Sequence, residues 1–234
     1  MSADDLFGGE VHTLMFDLYG TVVDTQGGLS RAVTPYLSRK VWNGQPESLV
    51  TWWRRSLFEG SMVDALLHRD HTAYRELGER ALDYTLTRAG IAHTQDEVRE
   101  LVSEIERLKP FPEVVQALKK LTNRYQLTLL SDGDPDMLDA ARPHIGFGFD
   151  LMISTAQAGT FKPHVATYRM GAEQVGAPPD KILYVAGHAF DCIGAKAYGM
   201  RTCFVNRRAH PFSVGPFQPD FIVSDLAELV EKLG

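Results

Sequence analysis

Four residues that could act on a carboxylate chemistry lie where short apolar runs end. Asp17 follows Leu14 to Phe16, Ser131 follows Leu127 to Leu130, Lys162 comes after Leu151 to Ser154, and Asp191 comes just beyond Ile182 to Ala186. A carboxylate at the end of a buried strand is costly unless a cation or hydrogen-bond donors meet it. The ammonium of Lys162 would hold Asp17 ionised by pairing with it, and the Ser131 hydroxyl can hydrogen-bond a bound anion. Asp191 is a second carboxylate that would share the lysine. Taken singly, Ser131 reads as a helix cap, Lys162 as a solvated charge and Asp191 as an acid favoured by a helix N-terminus. Their joint occurrence at successive run ends points to a functional site built around an ionised carboxylate.

The elements that must position these residues follow from periodicity. Leu14 to Phe16 reads as a buried strand delivering Asp17 to a tight turn at Gly20. Thr25 to Gly28 reads as a break. Helical spacing then fills Leu29 to Val41, Pro46 to Phe58, His71 to Ala89 and Thr94 to Leu108, with a capping box at Thr94–Glu97. Pro110 and Pro112 mark the exit, and Glu113 to Leu121 leads into the second strand. Strands at Leu127 to Leu130, Leu151 to Ser154, Ile182 to Ala186, Thr202 to Val205 and Phe221 to Val223 alternate with helices, the last from Asp225 capped by Ser224. The expected fold is α/β: a doubly wound, mostly parallel sheet formed by residues 1–24 and 109–234, with residues 25–108 as an inserted helical cap subdomain. Arg207 to Pro219 reads as a long surface loop.

Composition limits the function classes. With 234 residues and 44% apolar content the chain has an ample core, and a net charge of -6 leaves no electrostatic footprint for nucleic acid or an anionic membrane. No window approaches the roughly 18 apolar residues of a membrane span. Met1 to Asp5 lacks the basic and apolar blocks of a signal peptide, so the expectation is a soluble cytoplasmic protein. Cys192 and Cys203 sit in no metal-ligand spacing and are expected to be buried, reduced thiols.

Asp17-Leu18-Tyr19-Gly20-Thr21, Ser131-Asp132-Gly133, Phe161-Lys162-Pro163 with Tyr168, and Asp191 to Gly199 resemble the four motifs of the haloacid dehalogenase superfamily. Tyr19, two residues after Asp17, and the Phe-Lys-Pro run with its tyrosine look like the L-2-haloacid dehalogenase branch. The resemblance implies a helical cap, usually a homodimer, and a small carboxylate substrate. It makes Asp17 the nucleophile, paired with Lys162, and gives Thr21 and Ser131 to the substrate and nucleophile carboxylates. Leu18, Tyr19 and Asp132 join them at the substrate, Tyr168 supports the site, and Asp191 helps activate the hydrolytic water. Trp53-Arg54-Arg55-Ser56 resembles the run carrying the cap arginine, which makes Arg54 the match and Arg55 its competitor.

Superfamily phosphatases carry a second aspartate where this chain has Tyr19, and bind magnesium through the nucleophile and acids near the fourth strand. Here Gly187 stands where such an acid is expected, so only Asp17 and Asp191 remain, and a hard cation prefers more oxygen ligands. The residues favour attack on carbon without a cofactor or metal. Two departures from the branch stand out. Asp132 replaces an asparagine that helps hold the leaving halide, and an ionised carboxylate there repels it. Ala186-Gly187-His188 replaces Ser-Ser-Asn; His188 either orients or deprotonates the attacking water, or packs. The expected activity is hydrolysis of small 2-substituted carboxylic acids. The alternatives are a magnesium-dependent phosphatase, ring opening of a cyclic 2-amino acid such as azetidine-2-carboxylate, and ligand binding without turnover.

Overall fold

The computed structural model describes residues 11–67, 70–213 and 215–234. Met1 to Asp5, inspected above for a leader, lies outside the described residues, as do the first ten positions of the expected core segment. Strand β1 (Thr13–Phe16) is buried along its whole length, and its side chains alternate between two apolar layers, Leu14 and Phe16 facing one and Met15 the other. It is flanked in parallel by β2 (Gln126–Ser131) and β4 (Ile182–Ala186), with Phe16 opposite Leu129 on one side and Val185 on the other. With β3 (Leu151–Ser154), β5 (Arg201–Val205) and β6 (Phe221–Val223), the order is β3-β2-β1-β4-β5-β6, parallel throughout. The order reverses at β1, and the crevice beyond the carboxyl ends of β1 and β4 is where such sheets bind ligands.

Between β1 and β2 the chain forms α1 (Thr25–Arg39), α2 (Pro46–Leu66), α3 (Tyr74–Arg88), α4 (Gln95–Ser103) and a 3₁₀ turn (Glu104–Arg107). It leaves at Asp24 and returns at Lys109, where the Asp24 N–H donates to the Lys109 carbonyl (2.9 Å) and the Phe111 N–H to that of Val22 (3.1 Å). The rest of the chain supplies α5 (Val114–Leu121), α6 (Pro135–Ile145), α7 (Val165–Val175), α8 (Ala189–Tyr198) and α9 (Leu226–Leu233). The Met15, Tyr184 and Leu130 layer packs with α7 and α8; the Leu14, Phe16 and Val185 layer packs with α5, α6 and α9 and continues into the inserted helices. Among the described residues no helix is long and apolar enough to cross a membrane. Cys192 and Cys203 are buried free thiols.

Several boundaries differ from expectation. Thr25 to Gly28 is no break but the first turn of α1. Asp24 caps it by accepting from the Gly27 N–H (2.9 Å), and a side chain at Gly28 would meet Leu108 at 2.4 Å. α2 runs to Leu66, past Phe58, because Gly60 is tolerated within a helix whose Trp53, Leu57 and Ser61 are buried. The fourth helix tightens into the 3₁₀ turn at Glu104. The last helix is capped by Asp225, which accepts from the Glu228 N–H (2.9 Å), whereas Ser224 bonds the Glu228 carboxylate. The third helix starts at Tyr74 rather than His71 and has no cap of its own. Its first two amides donate instead to Asp134, from the turn after β2: Tyr74 N–H to Oδ1 (2.8 Å) and Arg75 N–H to Oδ2 (2.9 Å).

Candidate active site

Asp17 is the first residue past β1, and its own N–H extends the ladder to the Val185 carbonyl. Its carboxylate, 7% exposed, receives the Lys162 ammonium on Oδ1 (2.7 Å) and the Thr21 hydroxyl on Oδ2 (2.6 Å). Burial by itself would raise this carboxyl, but Lys162 and His188 outweigh it and hold Asp17 well below the usual carboxylate range. Thr21 is oriented in turn, since its oxygen accepts from the Gly187 N–H (2.8 Å). Lys162 is 2% exposed and also donates to Asp191 Oδ2 (2.8 Å), the Tyr184 hydroxyl (3.1 Å) and the Leu130 carbonyl (3.2 Å). Burial disfavours its charge, yet Asp17 and Asp191 overcome that and leave it raised, a charged lysine fixed between two carboxylates.

Asp191, in the first turn of α8, is wholly buried behind Lys162. Its oxygens are taken by Tyr168 (2.7 Å), Tyr184 (3.0 Å) and Lys162, so no carboxylate edge faces the space over Asp17. Burial raises its carboxyl. A cavity of about 350 Å³ lies between the sheet edge and the inserted helices. Asp17, Tyr19, Arg54, Asp132, Lys162 and His188 reach it, and Leu57, Phe58, Tyr74 and Phe190 supply apolar wall. Tyr19 stacks on Tyr74 (5.7 Å, 8°), and its buried hydroxyl has no partner among the described residues.

Arg54 and Arg55 separate cleanly. Arg54 points inward, donating to Gln26 Oε1 (2.9 Å) with a second nitrogen 3.3 Å from His188 Nε2, while Arg55 is exposed on Glu59 (2.8 Å). A guanidinium only donates, so His188 Nε2 must accept, and the ring proton sits on Nδ1, 3.7 Å from Asp17 Oδ2. Asp132 spends Oδ1 on the Thr155 hydroxyl (2.9 Å) and the Lys162 N–H (3.0 Å), rather than on its own turn. Burial pushes its carboxyl up to about 6 against the pull of Lys162.

Leu18, Tyr168 and Ser131 are buried side chains. Leu18 is a core side chain whose carbonyl is filled by the amides of Thr21, Val22 and Val23. Tyr168, expected to support the site, has its hydroxyl on Asp191, and the Ser131 oxygen accepts from the Gly133 N–H (3.2 Å), which leaves its own O–H to donate. Sequence reasoning missed Tyr184, Gln26 and Tyr74. Only Tyr184 left a signal, a hydroxyl in the middle of an apolar strand, where a buried tyrosine must find a partner.

The residues do not fit a magnesium centre. Among the described residues no three acids, histidines or cysteines gather to hold an ion, the Lys162 ammonium fills the space between the two carboxylates, and Gly187 cannot be replaced by an acid without collision. A side chain there would lie 2.6 Å from the Gly20 carbonyl oxygen.

Residues 11–199 match the model of the haloacid dehalogenase-like hydrolases. The chain belongs to that family. Within it, the chain is 29% identical to an (S)-2-haloacid dehalogenase of Pseudomonas sp. (strain YL), over 93% of this chain and 92% of that one. The fold resembles the L-2-haloacid dehalogenase of Xanthobacter autotrophicus with chloropropionic acid covalently bound (TM-score 0.84, 27% identity, 94% and 97% of the two chains). It also resembles a defluorinating L-2-haloacid dehalogenase (TM-score 0.85, 27% identity, 97% of each chain).

Proposed function

We propose that this family member hydrolyses 2-halo carboxylic acids, Asp17 attacking carbon 2. The observation that carries the reading is the Asp17 carboxylate itself, ionised by Lys162, with no cluster of metal-ligating side chains among the described residues, and facing a cavity that also holds Arg54. The substrate carboxylate lies on the remaining donors of Arg54, with the inserted helices acting as the cap. An Asp17 oxygen forms a bond to carbon 2 while the carbon–halogen bond breaks, the halide leaving with the bonding pair and carbon 2 inverting. Water then attacks the side-chain ester, releasing the 2-hydroxy acid and restoring Asp17. Asp191 and Tyr168 act as positioning residues that hold Lys162. His188 can take a proton from the water only when Nε2 lets go of Arg54. The relatives' names support the substrate class. For the homodimer that the motif resemblance implies, Val63, Leu66 and Leu67 offer an exposed apolar ridge at the end of α2. Sedimentation velocity should give twice the 26.1 kDa chain mass.

A second reading rests on Asp132, whose carboxylate lines the cavity with only Oδ1 bonded among the described residues. An anion there suits a departing amine, so strained cyclic 2-amino acids belong in the assay. The test is a panel of 2-halo acids, azetidine-2-carboxylate and phosphate esters, read for halide, ring opening and phosphate with and without a chelator. Halide release that survives chelation is expected; magnesium-dependent phosphate release alone would overturn the proposal.

A further inference from the structure

The motif resemblance gives Asp191 to the hydrolytic water, yet both its oxygens are spent on Tyr168, Tyr184 and Lys162. A base for the second half of the reaction must come from elsewhere. Asp132 and His188 both reach the cavity, Asp132 from the end of β2 and His188 from the end of β4, on opposite sides of β1. Asp132 is tied through Oδ1 to Thr155, just past β3 (2.9 Å), and to the Lys162 N–H (3.0 Å). His188 Nδ1 stands 3.7 Å from Asp17 Oδ2, near enough for one water molecule at the Asp17 carboxyl carbon to touch it. The ring is firmly seated. Gly20 has a φ of +84°, a side chain on it would lie 2.8 Å from His188 Cε1 and 3.6 Å from Arg54 Nη2, and Phe190 packs 5.6 Å from the imidazole centroid.

As it stands, the ring is no base. Nε2 accepts from Arg54 (3.3 Å), so the proton is on Nδ1, facing the Asp17 anion. Substrate removes both holds on that tautomer. Its carboxylate is a stronger acceptor for the Arg54 guanidinium than an imidazole nitrogen is, and alkylation of Asp17 abolishes the charge in front of Nδ1. We propose that Arg54 gates His188: once the substrate carboxylate has drawn Arg54 away, the ring proton moves to Nε2 by exchange with solvent, and Nδ1 becomes the base for ester hydrolysis. The base role rests on the proposed function. Water oxygen bonds to the Asp17 carboxyl carbon as Nδ1 takes one of its protons. The bond from that carbon to the ester oxygen then breaks, the imidazolium returns the proton to the departing oxygen, and Asp17 sheds its own proton beside Lys162. His188 thus faces the nucleophile as a donor before alkylation and as an acceptor after it.

His188→Gln keeps a polar side chain of similar reach but no base. Mixed with excess 2-bromopropionate, it should give a burst of bromide stoichiometric with chain, then turn over about a hundredfold more slowly than the parent. Intact mass spectrometry of quenched protein should show the Asp17 ester accumulating, and imidazole in solution should restore turnover to His188→Ala, which a merely structural role would not allow. Parental turnover in His188→Gln overturns the base role, as does a lost burst with no ester, or an ester that accumulates in Asp132→Asn instead. The gate is read without turnover. Propionate, which carries the carboxylate and no leaving group, should move the His188 Nε2 resonance in nitrogen-15 NMR, and a resonance indifferent to saturating propionate overturns the gate. A parent chain that forms no ester with any 2-halo acid overturns the proposed function and the base role together, while the propionate shift would still uphold the gate.

Discussion

At the scale of single residues, the site separates groups that touch a substrate from groups that hold those groups in place. Arg54 can meet a carboxylate with two parallel N–H donors, which lysine cannot copy. Arg54→Lys should therefore lower kcat/KM about a hundredfold, against little change for Arg55→Lys, whose guanidinium is spent on Glu59. Steady-state kinetics on a 2-halo acid decide it, and equal, mild effects would place the anchor elsewhere. Asp132 makes a pH prediction. Its folded-state pKa of about 6 lies above the ordinary carboxylate value, so the stability it contributes is present below roughly pH 4 and lost as pH rises through about 6. Asp132→Asn should thus gain more in Tm over the parent at pH 8 than at pH 4. Because the ionised group repels a departing halide, parental kcat/KM on 2-halo acids should fall through the same window, and the variant should lose that limb.

At the scale of elements, the turn between β4 and α8 shows why the site tolerates no acid at position 187. A methyl group there meets backbone rather than a flexible side chain, 2.6 Å from the Gly20 oxygen. Gly187→Ala should cost about 1–3 kcal/mol, lowering Tm by roughly 3–10 °C, with activity falling as Thr21 loses its donor. Gly187→Asp should unfold more readily and gain no magnesium-dependent phosphate release; thermal melts and a phosphate assay check both. Strands were legible because each is a short apolar run stopped by polar or glycine residues, and the residues at those stops meet in space because the sheet is parallel. Helix ends were less legible, since glycine propensity at Thr25 to Gly28 yielded to the Asp24 cap and to packing against Leu108. The pairing of Arg54 with Gln26, and the cap that Asp134 lends to α3, join residues far apart in the chain and leave no local signature.

At the scale of the whole molecule, the polar contacts between the inserted helices and the sheet side include, among the described residues, the buried Asp134. Arg75 adds ion pairs to Asp136 (2.8 Å) across the same seam and to Glu106 (2.8 Å) within the insertion. Asp134→Ala leaves two helix-start amides without acceptors. The variant should lose about 1–2 kcal/mol of stability and show a raised KM with kcat less affected, as the cap dwells longer away from the cavity.

The amides of Tyr74 and Arg75 belong to the inserted helices and their acceptor to the turn after β2. Neither has a partner within its own helix, because the first turn of a helix leaves its N–H groups unmet. Their exchange with deuterated solvent therefore registers the breaking of the bonds to Asp134, by unwinding of the first turn of α3 or by parting of the inserted helices from the sheet. Where reclosing outpaces exchange, the reciprocal of their protection factor gives the fraction of time these bonds stand open, and an interior amide of the same helix, such as that of Leu82, reports separately on unfolding of α3. A substrate analogue that closes the cavity should slow exchange at Tyr74 and Arg75 while leaving Leu82 unchanged, so two backbone hydrogens serve as a gauge of access that requires no label and no mutation.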